Sequence, residues 1–349
     1  MNRLRLAIFS LVTASTSAAQ FLVAVDSAVS TIDSATGAKT PFATLSATVG
    51  VASGLAYDAA TRTMYLSSSN INSLFRLDLA TGTTTSVGSY GAGVILIHGL
   101  EFDSSTGRLY GASSGGSIYV IDRSTGSATS IGTSGLTGPI NLGYDARNKV
   151  MYATNSNTDS LYRMNLATGT ASLIGPLNGP TSPQGLAYDS DTGVMYLVDN
   201  STDNLYSIDL GTGAATLIGT TGTGNLLGLA YLPRSEGGFT RIAHGCGPTT
   251  ISAVGLPRRG HPIQLALGAV TGVPVVGLGV TVASLPFCGC TIGHDWTVAV
   301  FTSQLSLVVP AQASAVGLRL AFQGLDYLGS GGCPAPQLTL TDTIVVTVG

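Results

Sequence analysis

The chain has 349 residues, enough for two domains with full cores at roughly 100–200 residues each. Charged residues are only 9% against a usual figure of about 25%, and 44% are hydrophobic, which excludes the weakly hydrophobic, highly charged class of disordered chains. A net charge of −3 without a long Lys/Arg run excludes electrostatic docking to nucleic acid or to an anionic membrane.

In chain order, the N-terminus reads as a secretion signal. Arg3 and Arg5 precede a short apolar run, Leu6 to Val12, and Ser17-Ala18-Ala19 supplies a small-residue cleavage site. The run is much shorter than the roughly 20 apolar residues that span a bilayer. Residues 1–19 are therefore expected to be a signal peptide cleaved after Ala18 or Ala19. The product is expected outside the cell or on its surface, as a monomer without an integral membrane segment.

A repeat follows. "GLAYDAATRTMYLSS" begins at Gly54, "GLEFDSSTGRLYGAS" at Gly99, "NLGYDARNKVMYATN" at Asn141 and "GLAYDSDTGVMYLVD" at Gly185, with a shortened "GLAYLP" at Gly228. The steps are 45, 42, 44 and 43 residues, the length of a four-stranded propeller blade. A second marker, Asp/Asn-x-x-Thr-Gly, recurs at Asp33, Asp78, Asp122, Asn165 and Asp209. Alternating runs within each copy read as strands, separated by Asp-opened and Gly-closed turns. On that chemistry Asp58, Asp103, Asp145 and Asp189 are turn residues rather than catalytic acids. "FLVAVD", "AVSTID" and "KTPFATL" near the start match second, third and fourth strands, and "GLAYLP" matches a first strand. One blade is thus expected to be shared between the two ends. The expected architecture is an all-β chain: a five-bladed β-propeller over residues 20–235, followed by a β-sandwich domain over residues 241–349.

After about Arg241 the period disappears, proline becomes frequent, and all four cysteines appear. Runs such as "PIQLALGAV", "VVGLGVTVASL" and "DTIVVTV" read as strands with Gly/Pro turns, which a sandwich accommodates. An exported chain favours disulfides at Cys246, Cys288, Cys290 and Cys333. Cys288 and Cys290 on one strand are poorly spaced for bridging each other, so each reaches to Cys246 or Cys333. Zinc is disfavoured: there is no C-x₂-C pair, and the histidines lack ligand spacing.

The repeat region, about residues 21–233, resembles secreted bacterial propellers with repeats of the form "LY.IDxATGxxTxIG…GLAYDxxTGxMY", as in "LYSIDLGTGAATLIG" (205–219) and "GLAYDSDTGVMY" (185–196). The C-terminal block resembles a module attached to otherwise unrelated secreted proteins of environmental bacteria, through "HGCG" (244–247), "FCGCTI" (287–292), "VPAQASAVGLRLAFQ" (309–323) and the closing "TDTIVVTVG". The first resemblance implies the propeller fold but no one activity, since propellers host many. The second implies a display, sorting or attachment role, and it favours Cys246–Cys290 with Cys288–Cys333.

No reaction motif stands out. "GASSG" (111–115) fits G-x-S-x-G but falls between blade strands, where no strand-to-helix elbow exposes Ser113. "GHDW" (293–296) reads as a strand end with Trp296 in the core. Comparing the first strands across repeats is more informative. Before the strand's glycine position stand Ser53, His98, Ile140, Gln184 and Leu227, and further along stand Ala56, Glu101, Gly143, Ala187 and Ala230. Differences at repeated positions are not demanded by the repeat. Glu101 is one of only two glutamates in the chain and replaces a small residue. His98, Glu101, Asn141 and Gln184 are therefore the candidate ligand-binding residues, against the plainer expectation that His98 and Glu101 pair and plug the channel. The expected function is a secreted, non-catalytic binding or surface-interaction protein. A glycan or a cell-envelope protein is the expected partner, with no cofactor and no metal. The alternative is a propeller enzyme such as a metal-dependent lactonase or a sugar lyase.

Overall fold

A computed structural model describes residues 17–18, 21–79, 81–233, 237–287, 290–309, 318–329 and 337–349. Most of the expected signal peptide therefore lies outside the described residues, as do Cys288 and Cys333. Among the described residues the regular structure is almost entirely strand, with one short 3₁₀ turn at Ala47–Val49 and no α-helix. Among the described residues no helix is long and apolar enough to cross a membrane.

Residues 21–232 form five antiparallel sheets of four strands each. Four of them are contiguous in sequence, with first strands Ala52–Asp58, Ile97–Asp103, Ile140–Asp145 and Pro183–Asp189. The fifth is composite: Gly228–Leu232 pairs with Phe21–Val25, which continues into Ala28–Asp33 and Lys39–Thr44. Val23 lies opposite Ala230, a register that leaves Leu22 and Val25 buried.

Backbone pairing stays within each sheet, and no sheet closes into a barrel. The sheets meet instead by packing. Each first strand lies against the first strand of the next sheet, and Gly228–Leu232 lies against Ala52–Asp58. The glycine opening the repeated phrase serves this approach. A Cβ added to Gly54 would stand 2.6 Å from the His98 carbonyl oxygen, and one on Gly185 would stand 2.9 Å from the Leu229 nitrogen. Real side chains do not tolerate such distances, and four of the five copies keep glycine there, the third carrying Asn141.

The aspartates following each first strand are turn residues, as their chemistry requires. Asp58 accepts from the Ala60 N–H at 3.0 Å, Asp103 from Ser105 at 2.8 Å, Asp145 from Arg147 at 2.9 Å and Asp189 from Asp191 at 2.7 Å. The second marker uses the same device: Asp33, Asp122, Asn165 and Asp209 each accept from the N–H two residues on.

The C-terminal part contains a six-stranded antiparallel sheet. Its central strands are Leu338–Val348, Arg319–Tyr327 and Val273–Gly279, flanked by Gly237–Ile242 and Val298–Val300, and the short Ser17–Ala18 strand completes one edge. A three-stranded sheet, Thr250–Gly255, Pro262–Gly268 and Gln304–Val308, packs on it. Ile251, Ile263 and Leu265 from the smaller sheet share one apolar cluster with Val276, Phe322 and Ile344 from the larger. That cluster continues into the repeat region through Val29, Leu77 and Leu79. A hairpin, Val282–Phe287 with Cys290–His294, is tied to the larger sheet by the Cys246–Cys290 disulfide, with Cα atoms 5.3 Å apart.

Candidate functional site

The five first strands bring one aromatic each to a common end: Tyr57, Phe102, Tyr144, Tyr188 and Tyr231. All five are largely buried. They immediately precede the turn aspartate in four repeats, and stand at the matching place in the composite sheet. Three of their hydroxyls link neighbouring sheets. Tyr144 Oη donates to Ser105 Oγ at 2.9 Å, Tyr188 hydrogen-bonds Asp145, and Tyr231 Oη donates to Asp191 Oδ2 at 2.6 Å. Burial, helped by Asp145, pushes the Tyr188 hydroxyl up to about 12, so it remains a donor.

Phe102 lacks that hydroxyl, and the chain compensates. Arg123 lies 5.1 Å over the Phe102 ring and places Nη1 2.5 Å from Asp58 Oδ2. Asp58 is buried, so the guanidinium supplies the counter-charge that no tyrosine provides at this position.

These aromatics line a cavity of about 120 Å³. Its rim carries the residues just beyond each first strand, Ala59, Ser104, Ala146, Ser190 and Pro233. Glu101 stands in the wall, where the other sheets place Ala56, Gly143, Ala187 and Ala230. Its Oε1 accepts from the Phe102 N–H at 2.7 Å and its Oε2 from the Tyr144 N–H at 3.3 Å. A first strand has no ladder partner on its inner edge, so these N–H groups would otherwise need water. Burial pushes the Glu101 carboxyl up to about 8, against the pull of the two N–H donors. Among the described residues it has no cationic partner.

The other three candidate residues lie elsewhere. His98, Asn141 and Gln184 sit at the beginnings of their first strands, and three residues of strand put roughly 10 Å between His98 and Glu101. Glu101 therefore does not pair with His98. Its partners are the two backbone donors. Asn141 is buried and donates through Nδ2 to the Pro183 carbonyl at 2.9 Å. Gln184 is buried and donates through Nε2 to Ser182 Oγ at 3.2 Å. His98 is partly buried, which lowers its pKa. The cavity aromatics were missed as site residues, although their place in "GLAYD" was visible.

Elsewhere, Ser113 is buried within a strand, and its Oγ accepts from the Ser117 N–H at 3.2 Å, so it is not a nucleophile on an elbow. In "GHDW" the core residue is His294, not Trp296: His294 is buried, its pKa pushed down to about 4 by that burial, and Trp296 stacks on it with ring centroids 5.3 Å apart. Among the described residues, no group of three or more His, Cys, Asp or Glu side chains is placed to hold a metal ion.

The model of a repeat family described as a repeat of unknown function (DUF6923) matches residues 101–225. No curated protein matches the chain. Many solved structures do. A chain of the crystal structure of a nidogen/laminin complex is similar at 16% identity and a TM-score of 0.44, over 61% of this chain and 85% of that one. A structural-genomics protein of unknown function from Bacteroides thetaiotaomicron is similar at 15% identity and a TM-score of 0.47, over 65% and 67%. An auxiliary nutrient binding protein from the same organism is similar at 16% identity and a TM-score of 0.43, over 65% of each chain.

Proposed function

We propose that this chain is a secreted, non-catalytic binding protein. In this reading the five four-stranded sheets are the blades of a five-bladed β-propeller, and the two C-terminal sheets form a β-sandwich that attaches or displays it. The cyclic contact of the first strands supports the ring. The N-terminal pattern and the Cys246–Cys290 bridge support export, because disulfides persist in oxidising compartments. The ligand is received at the aromatic-lined cavity, as a group presented by a glycan or a cell-envelope protein.

One observation carries the binding reading: a carboxylate without a cationic partner occupies the cavity wall where four other repeats keep alanine or glycine. Packing does not require it, since the small residues satisfy the same position four times. Catalysis by the metal-dependent route would need several converging carboxylates and amides, and no described group offers that donor set.

The test is a binding screen of envelope glycans and peptides against wild-type protein and Glu101→Ala. A ligand retained by wild type and lost by the variant, at unchanged melting temperature, is the expected result. Ligands bound equally by both proteins would move the site away from this cavity.

A further inference from the structure

Resting on the reading of this cavity as the ligand site, we propose that it selects the ammonium head of a cationic ligand. The groups assembled there fit that chemistry. Tyr57, Phe102, Tyr144, Tyr188 and Tyr231 line the cavity, and aromatic surfaces attract organic cations through the ring quadrupole. Glu101 supplies one carboxylate to the same space.

The way Glu101 is held argues for the charged form as the working one. Both oxygens accept backbone N–H donors, from Phe102 at 2.7 Å and from Tyr144 at 3.3 Å. Two donors and no acceptor favour an anion. What the anion lacks is a counter-charge: among the described residues no Lys, Arg or His pairs with it. The nearby guanidinium of Arg123 is committed to Asp58 and to the Phe102 ring. Without a cation, burial raises the carboxyl to about 8, so at neutral pH the empty site holds a proton. A bound ammonium takes that proton's place. The cavity of about 120 Å³ has room for a small alkylammonium group. The ligand is then a larger molecule that inserts only its cationic head, the rest remaining outside the rim at Ala59 and Ser104, both exposed.

Calorimetric titration of the full chain at pH 7 tests this, with tetramethylammonium and methylammonium as probes and tert-butanol as the neutral counterpart. An ammonium probe is expected to bind, to outbind tert-butanol by roughly thirtyfold, and to release a proton, read as an enthalpy that differs between buffers of different ionisation heat. Glu101→Gln, which keeps an acceptor oxygen for the backbone, is expected to lose both the preference and the proton release. If tert-butanol binds as well as the cations, or Glu101→Gln binds them like wild type, the cationic class is overturned while the cavity stands as a ligand site. If no probe binds, the ammonium proposal is overturned. The wider reading then rests on the envelope-ligand screen.

Discussion

Gly37, in the turn closing the third strand of the composite sheet, lies directly against Gly219 in the fourth strand of the last repeat. A Cβ built on Gly37 would stand 2.6 Å from the Gly219 carbonyl oxygen. The same contact joins Gly213 to Gly175, again at 2.6 Å, and recurs between Gly169 and Gly132 and between Gly126 and Gly88. The Thr-Gly and Ile/Val-Gly parts of the repeat are thus two halves of one contact between neighbouring sheets. At Gly37 that contact joins the N-terminal part of the chain to the last repeat.

Gly37→Ala is expected to destabilise for two separable reasons. Its φ of +78° is left-handed, which costs a side chain about 1–2 kcal/mol, and the new methyl meets the Gly219 backbone, adding about 1–3 kcal/mol of overpacking. Gly107 has a similar φ of +72° with nothing within 4 Å, so Gly107→Ala suffers only the first cost. Urea midpoints of the two variants should differ accordingly. Equal losses would show that Gly37 is not held against Gly219.

The Arg123–Phe102 substitution for a tyrosine hydroxyl makes a second prediction. Arg123→Ala strands the buried Asp58 carboxylate and should cost about 1–3 kcal/mol in chemical denaturation. Adding Phe102→Tyr should recover part of that loss, because Tyr144 and Tyr231 already reach the preceding turn in this way. A double variant no more stable than Arg123→Ala would break the equivalence.

The Cys246–Cys290 bridge spans 44 residues, which the chain-entropy estimate values at about 4 kcal/mol before strain. It holds the 282–294 hairpin to the larger C-terminal sheet, together with Gln323, whose Oε1 accepts from the Gly293 N–H and whose Nε2 donates to the Thr291 carbonyl. Replacing both cysteines by serine should raise hydrogen exchange in the C-terminal sheets and leave residues 97–208 protected. Equal loss of protection in the repeat sheets would mean that the shared apolar cluster makes the whole chain one cooperative unit.

The sequence carried the repeat sheets well because the copies repeat the same constraints: an aromatic in all five, a glycine for close approach in four and an aspartate for the turn in four. The composite sheet was legible for the same reason, since "GLAYLP" lacks the strands that residues 21–44 supply. The site was only partly legible. Comparing repeats singles out Glu101, and the structure places it in the cavity wall beside the first-strand aromatics. The comparison also groups Glu101 with His98, Asn141 and Gln184, because a list of departures carries no depth along a strand. Asn141 donates to Pro183 in the next sheet and Gln184 to Ser182 two residues back, hydrogen bonds that no spacing rule reveals. The tyrosines were overlooked because they are uniform, and uniformity reads as packing.

The most direct measurement is thermal unfolding of wild type and Glu101→Ala from pH 4.5 to 9. Burial raises the folded-state carboxyl from 4.5 to about 8, so in wild type its contribution to stability is full below about pH 4.5 and is lost as the pH rises towards 8. The account predicts a wild-type melting temperature that declines across this window, a variant without that decline, and a variant at least as stable as wild type at pH 8–9. A variant less stable by about 1–3 kcal/mol at every pH would contradict it, because Glu101 would then be holding the Phe102 and Tyr144 backbone for the fold rather than waiting for a ligand.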